Sequence, residues 1–300
     1  MRETFENWQK ADVHHHLHLG ANPLAVKNKY NTHIFDIPEH FDGLDGMIDF
    51  IDQSINPMLQ TKKDIFFFME SAIESCIADK VVRLEASVDL NLYKYFNDSI
   101  EEFILAIAQL KEKYKANINF QPELGINKDW PVSGIEHAVF TCIESGIFNG
   151  IDLYAKEKNR DLSPFQKIFE FASVNGLVTK VHIGEFSSSQ SIENAIHLLK
   201  PNQIQHGIGA ASSKKTMDII LSNDIQLNVC PTSNLILGAV KDIKTHPIRK
   251  LYDHGIKVTI NTDDFLLFGT SLSDEFFKLW QNQIFSMEEL DEIRLNAFKP

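Results

Sequence analysis

Residues 177–209, LVTKVHIGEFSSSQSIENAIHLLKPNQIQHGIG, carry the pattern on which the fold turns. LVTKVHIGE is a short apolar run and reads as a strand, residues 191–200 read as a helix, and QIQHGIG at 203–209 reads as a second strand. Strand, helix and strand in succession form a crossover unit, which sets the two strands parallel in one sheet. The rhythm continues on both sides. Downstream come a helix from about Lys214 to Ser222, the strand IQLNVCP at 225–231, a helix near Thr245 to His254, and KVTINTDD at 257–264. Upstream, Ser163 and Pro164 supply N-cap and N1 signals for a helix closed by Gly176, preceded by the strand GIDLY at 150–154. Before it stand a helical stretch from Ser133 to Ser145, the strand INFQPELGI at 118–126, and a helix opened by a capping box of Ser99 with Glu102. VVRLEASV at 81–88 follows a helix that Thr61 and Asp64 open and that runs through Cys76. KADVHHHLHLG at 10–20 makes the first strand.

Eight strands separated by helices predict an α/β fold, a (β/α)8 TIM barrel, over a single domain of residues 1–300. No glycine-rich loop follows the first strand, which counts against a dinucleotide-binding sheet. Extra helices are inserted after that strand. In residues 41–59, Leu44, Met47, Ile48 and Ile51 fall at helical spacing, and helices inserted there belong over the mouth of a barrel, as a lid across residues 41–70.

With 43% hydrophobic residues the chain can bury a large core. Its formal net charge of −12 lacks the electrostatic footprint of a nucleic-acid binder, so a small-molecule partner is expected. Cys76, Cys142 and Cys230 are widely spaced with no CxxC pair, which fits a reducing compartment rather than a disulfide framework. No signal peptide or membrane span is apparent, so a soluble, cytoplasmic protein with no membrane partner is expected. Nothing in the residues sets the oligomeric state.

Polar groups cluster at one place in this scheme. His14 and His16, His182 with Glu185, His206, and Asp263 with Asp264 fall at or after the C-terminal ends of strands one, five, six and eight, which share one mouth in a barrel. A regular first strand would also send His18 out on the face of His14 and His16. Taken singly, each group has a structural reading: a strand histidine in the core, or an Asp-Asp pair capping a helix. Together, His14, His16, His182 and Asp263 offer the neutral imidazole and carboxylate ligands of a hydrolytic zinc that keeps a position open for water.

The segments KADVHHHL, GIDLYAKE, VHIGE, HGIG, NVCPTSNLILGAV and INTDDFLLFGTSLSDEF resemble, in order and spacing, the successive motifs of the adenosine deaminase family within the metal-dependent amidohydrolases. The resemblance spans roughly residues 8–298 and implies one zinc ion per chain, bound by His14, His16, His182 and Asp263. It implies that Glu185 gives a proton to the ring nitrogen beside the amino-bearing carbon. His206 would orient the attacking water and, with Asp263, help deprotonate it. Asp264 would hydrogen-bond the imidazole nitrogen of the purine. The implied reaction is hydrolytic deamination of an adenine-type purine to the oxo-purine and ammonia, which requires the site to raise the pKa of Glu185.

The sugar-side positions depart from the family pattern. His18 stands where the family has an acidic residue, Leu19 replaces the glycine after it, and Ala155 occupies the glycine position whose backbone N–H contacts the purine. Ser87 replaces an arginine in RLEAS. His18 either contacts a different substituent or fills space, and a one-residue gap would make His16 and His18 the ligand pair. The ungapped match keeps Lys10 and Pro23 in register. Three alternatives remain. One is deamination of a different or N6-substituted aminoheterocycle. Another is a binuclear amidohydrolase cleaving an amide, for which Lys156 is the nearby bridging candidate. The third is a metal-binding barrel with a non-catalytic role. The signature of cytidine-deaminase zinc sites is missing, since Cys230-Pro231 leads into Thr232-Ser233-Asn234 with no second cysteine.

Overall fold

The short apolar runs become strands because each is covered on both faces, as all-parallel sheets require. In the computed structural model, which describes residues 2–30, 37–157 and 160–299, eight parallel strands pair in chain order. They are β1 (Lys10–Asp12), β2 (Val81–Asp89), β3 (Asn119–Asn127), β4 (Gly150–Tyr154), β5 (Val178–Ile183), β6 (Gln203–His206), β7 (Gln226–Val229) and β8 (Val258–Ile260). Helices connect them, and the predicted (β/α)8 TIM barrel is the observed architecture. Among the described residues, no helix is long and apolar enough to cross a membrane.

The barrel is drawn shut beyond the regular strands. His14 O accepts from Asp263 N at 3.0 Å, Asp263 O from His16 N at 3.2 Å, and the Asn261 side chain from Val13 N at 2.9 Å. On the other side Leu17 N donates to Ser87 O at 2.9 Å. The seam between first and last strands therefore runs through the histidine motif.

That motif departs from a regular strand. β1 keeps its ladder for only three residues, and a turn follows in which Gly20 N donates to His16 O at 2.8 Å. His14 and His16 still face inward, whereas His18 lies within the turn and does not join them. His15 points the other way, buried, with its ring against Gly20: a Cβ on Gly20 would stand 1.9 Å from His15 Cε1. Only glycine permits this packing.

Two capping expectations are corrected. Thr61 is the expected N-cap, and with Asp64 it closes a reciprocal capping box. Ser99 accepts from Glu102 N, but the Glu102 carboxylate bonds the Asn97 amide instead of closing a box. The Ser163 hydroxyl turns to Asp161, and Ser163–Phe165 forms a 3-10 turn ahead of the helix Gln166–Val174. The helix expected over 41–59 is observed as an α-helix (Gly43–Phe50), a π turn (Ile51–Ile55) and a 3-10 turn (Asn56–Met58). Its predicted apolar face, Leu44, Met47, Ile48 and Ile51, lines the cavity at the C-terminal end of the strands. Part of the 41–70 insertion thus covers the mouth, and Phe41 N tethers it to Ile236 O at 3.0 Å.

The barrel interior holds one charge cluster away from the histidines. Lys180 on β5, fully buried, donates to Glu85 Oε2 at 2.6 Å and Val13 O at 2.7 Å, and its Nζ lies 2.8 Å from Glu123 Oε1. Removing one member of a buried ion cluster leaves the others uncompensated. Lys180→Met is therefore expected to destabilise the protein by about 3–5 kcal/mol, read as a fall in the denaturation midpoint. Adding Glu85→Leu and Glu123→Leu should restore much of that loss. Unchanged stability in the single variant would show that the cluster contributes nothing.

Candidate active site

The strand ends deliver their polar groups to one cavity of about 480 Å³. His14 Nε2 lies 3.1 Å from His182 Nε2 and 3.4 Å from Asp263 Oδ1; His16 Nε2 lies 3.2 Å and 3.5 Å from the same two atoms. Zinc–nitrogen bonds of about 2.0–2.1 Å at a tetrahedral angle would place ligand atoms about 3.3 Å apart. Four of the six donor pairs match that spacing, and all four atoms lie within 4.8 Å of one another, close enough to share one ion.

The outer nitrogens decide which lone pairs face inward. His14 Nδ1 faces the carbonyl of Asn228 at 3.0 Å, and His182 Nδ1 faces Asp152 Oδ1 at 3.1 Å. Both carry their proton there, so their Nε2 lone pairs converge. Two acceptors this close repel unless a cation lies between them. Burial lowers His182, and lowers His16 to about 4, which keeps both neutral as ligands must be. Burial opposes a proton on His14 too, but the Asp263 charge holds it above its usual value. Although burial works against ionisation of Asp152, His182 and the neighbouring imidazoles hold it well below the usual carboxylate range. His14, His206, Cys230 and Asp263 form an overlapping cluster. It suits a metal less well, because burial pushes the Cys230 thiol far up and His14 would have to give up its bond to Asn228.

Beside the four donors stand the remaining site candidates. Glu185 Oε2 lies 3.6 Å from His206 Nε2, which lies 3.8 Å from Asp263 Oδ2. Burial, together with the charges of Asp263 and Glu157, pushes Glu185 well above the usual carboxylate range, which favours its protonated form. Asp264 is raised in the same way by burial and by Asp263 and Glu185, and its buried Oδ1 has no protein partner. Burial and the nearby His14 lower His206 far below its usual value.

Strain marks the same residues. His206 (φ +62°), Asp263 (φ +63°) and Ala155 (φ +82°) occupy the left-handed region, which costs an L-residue about 1–2 kcal/mol each. The backbone turns sharply at three strand ends to aim side chains into the cavity.

His18 also lines the cavity, apart from the four donors. Burial, reinforced by Lys94, lowers it to about 4, and its Nδ1 has no protein partner. Ala155 lies on the wall, while Ser87 joins the barrel seam through its backbone. Lys156, the candidate bridge of a two-metal site, lines the same cavity but is half-exposed and paired with Asp45 at 2.7 Å, and it is not part of the four-donor cluster.

Several supporting groups escaped the sequence. Asp152 was legible only as a charge inside the apolar run GIDLY. Glu157, buried two residues past Ala155, accepts from the backbone N–H groups of Gly184, Glu185, Phe186 and Ser187 and from the Ser187 hydroxyl, at 2.6–3.3 Å, and so clamps the loop that carries Glu185. CPTSN was expected only to shape the wall near the site. Its helix Pro231–Ile236 also places Ser233 Oγ 2.7 Å from Asp263 Oδ2, as donor, and the Asn234 amide 2.6 Å from Glu185 Oε1.

This geometry has counterparts. Residues 10–300 match the family model described as adenosine deaminase. A Treponema pallidum (strain Nichols) protein provisionally described as an adenosine/adenine deaminase is 35% identical over 277 residues, covering 92% of this chain and 93% of its own. An adenine deaminase of Acinetobacter baylyi is 27% identical over 310 residues, covering 97% and 91%. Among solved structures, an amidohydrolase from Burkholderia ambifaria with bound Zn superposes with a TM-score of 0.83 at 20% identity, covering 99% of this chain and 86% of that one.

Proposed function

The chain belongs to the adenosine deaminase family, and from that premise we propose that it is a zinc-dependent aminohydrolase converting an adenine-type purine to the oxo-purine and ammonia. We read residues 1–300 as one domain serving this site. His14, His16, His182 and Asp263 would hold the ion, which when bound supplies a Lewis acid that lowers the pKa of water to about 7. The donor spacing and the zinc reported for the Burkholderia relative support that choice of metal.

The protein's own groups divide the remaining work. His206 and Asp263 orient the attacking water, and its proton passes to this pair of groups. Glu185, held protonated, gives its proton to the ring nitrogen next to the amino-bearing carbon, so electrons from the attack have somewhere to go. Asp264 turns its unpartnered carboxyl toward the imidazole nitrogen of the purine. Collapse at the ring carbon expels ammonia, and the apolar face of Leu44, Met47, Ile48 and Ile51 covers the heterocycle.

The observation that carries this reading is the buried Glu185 carboxyl, 3.6 Å from His206 and beside a four-donor metal cluster. Ammonia release by the zinc-loaded protein, screened against adenine, adenosine, AMP, N6-substituted adenines and other aminoheterocycles, tests it. Release that chelation abolishes is expected; release that persists after complete metal removal would refute the reading. Because His18 replaces an acid at the sugar side, turnover of the free base or a nucleotide without turnover of adenosine would assign the specificity to that change.

A further inference from the structure

His206 can help a reaction in two opposite ways. A bare Nε2 lone pair takes a proton; a protonated Nε2 donates a hydrogen bond. Imidazole tautomers are set by what the other nitrogen meets, and here that partner can be traced outward to a backbone group.

His206 Nδ1 lies 3.2 Å from the Asn234 amide nitrogen, which also lies 2.6 Å from Glu185 Oε1. The Asn234 oxygen lies 3.2 Å from His246 Nε2. His246 Nδ1 in turn lies 3.1 Å from the backbone nitrogen of Ile248, which can only donate. Both His246 and Asn234 are buried, and neither belongs to the metal cluster or faces the reacting centre.

If the Asn234 amide were turned over, its oxygen could accept from a protonated Glu185 and from His206 Nδ1–H. Its NH2 would then point at His246 Nε2, which would have to be bare, with the His246 proton on Nδ1. That proton would collide with the Ile248 N–H. The backbone donor therefore decides every bond in the chain: Ile248 N–H to His246 Nδ1, His246 Nε2–H to Asn234 Oδ1, and the two Asn234 N–H groups to Glu185 Oε1 and His206 Nδ1. Burial supports it by lowering His246 to about 4, which leaves the ring neutral with one proton to place.

We infer that His246 and Asn234 form a relay that fixes the proton of His206 on Nε2, so that His206 presents an N–H, not a lone pair, to the reacting centre. His206 then orients the attacking water and stabilises negative charge on its oxygen, and of the pair His206 and Asp263 only the carboxylate remains to accept the proton. The same amide caps Glu185 Oε1 and leaves the Glu185 proton on Oε2, the oxygen nearer His206. His246 is a positioning residue that acts on acid and water-orienting group at once. This assignment rests on the deaminase reading for its consequence, though not for its geometry.

Long-range 1H–15N correlation on zinc-loaded protein labelled at histidine nitrogens, with His206→Asn and His246→Gln used for assignment, reads the tautomers directly. His206 and His246 are both expected with protonated Nε2 and bare Nδ1. His246→Phe, which removes the donor, should shift His206 toward the Nδ1–H form and lower kcat by about 10- to 100-fold at unchanged KM and zinc content. His246→Gln, whose side chain can still donate to Asn234, should recover most of the rate. A wild-type His206 protonated on Nδ1, or wild-type kcat in His246→Phe, would overturn the relay. If His246→Phe does not fold, the wild-type tautomer and the glutamine variant still decide. If no substrate is turned over, the deaminase reading fails while the tautomer measurement stands.

Discussion

Glu185→Gln is expected to lower kcat by about 10²- to 10⁴-fold, with zinc content and thermal stability unchanged. Glutamine keeps the shape of the side chain and its Oε1, so the bond from Asn234 survives. It loses the only thing the reaction asks of Glu185, a proton that can leave. The wild-type pH profile provides an independent check. Burial, Asp263 and Glu157 raise the Glu185 pKa well above its usual value, so the protonated donor persists above the ordinary carboxylate range and is lost as pH rises through the raised pKa. Activity should accordingly fall on the alkaline side, and that limb should be missing from the residual activity of the variant. A variant retaining more than a tenth of the wild-type rate would remove Glu185 from the donor role.

The parts of this protein legible in its sequence share a physical property: their signal is local. A strand of three to nine residues and a helix of ten each write their own periodicity, so the β/α alternation could be followed from VVRLEASV to KVTINTDD. Strand ends could be located, and with them His182, Glu185, His206 and Asp263. Local regularity also misled. Continuing the period-two pattern through HHHLH carried His18 onto the face of His14 and His16, whereas the ladder ends at Asp12 and the packing of His15 against Gly20 turns the chain. The alternative in which His16 and His18 serve as the ligand pair is not what the geometry brings together, because His14 and His16 are the ones that meet His182 and Asp263.

What stayed illegible is the layer of groups that orients the site. Asp152, Asn228, Asn234 and His246 act on residues up to 214 positions away, through bonds whose direction depends on which nitrogen or oxygen faces which neighbour. An asparagine in CPTSN or a histidine before Pro247 has no period and no spacing rule to betray it. Glu157 is the instructive case: two residues from a position already singled out, it spends its carboxylate on the backbone of another loop. Composition registers only one more acid.

That supporting layer makes the metal site a graded test. His182→Ala should abolish stoichiometric zinc binding and reduce ammonia release to background, because His182 Nε2 lies within 3.2 Å of both other imidazoles and its loss removes the donor that joins them. Asp152→Asn should do something milder. Asparagine can still accept from His182 Nδ1–H, so the tautomer is retained, but the negative charge that strengthens the imidazole as a ligand is gone. Outer partners of metal-bound histidines typically contribute 10- to 100-fold in affinity. The zinc dissociation constant of Asp152→Asn is therefore expected to rise by about that factor, with activity restored at saturating zinc. Competition with a chromophoric chelator measures both variants. Full zinc occupancy and full activity in His182→Ala would dissolve the proposed site. Equal and complete loss in both variants would mean that Asp152 acts as more than an orienting partner, because a group that only aims a ligand cannot cost as much as the ligand itself.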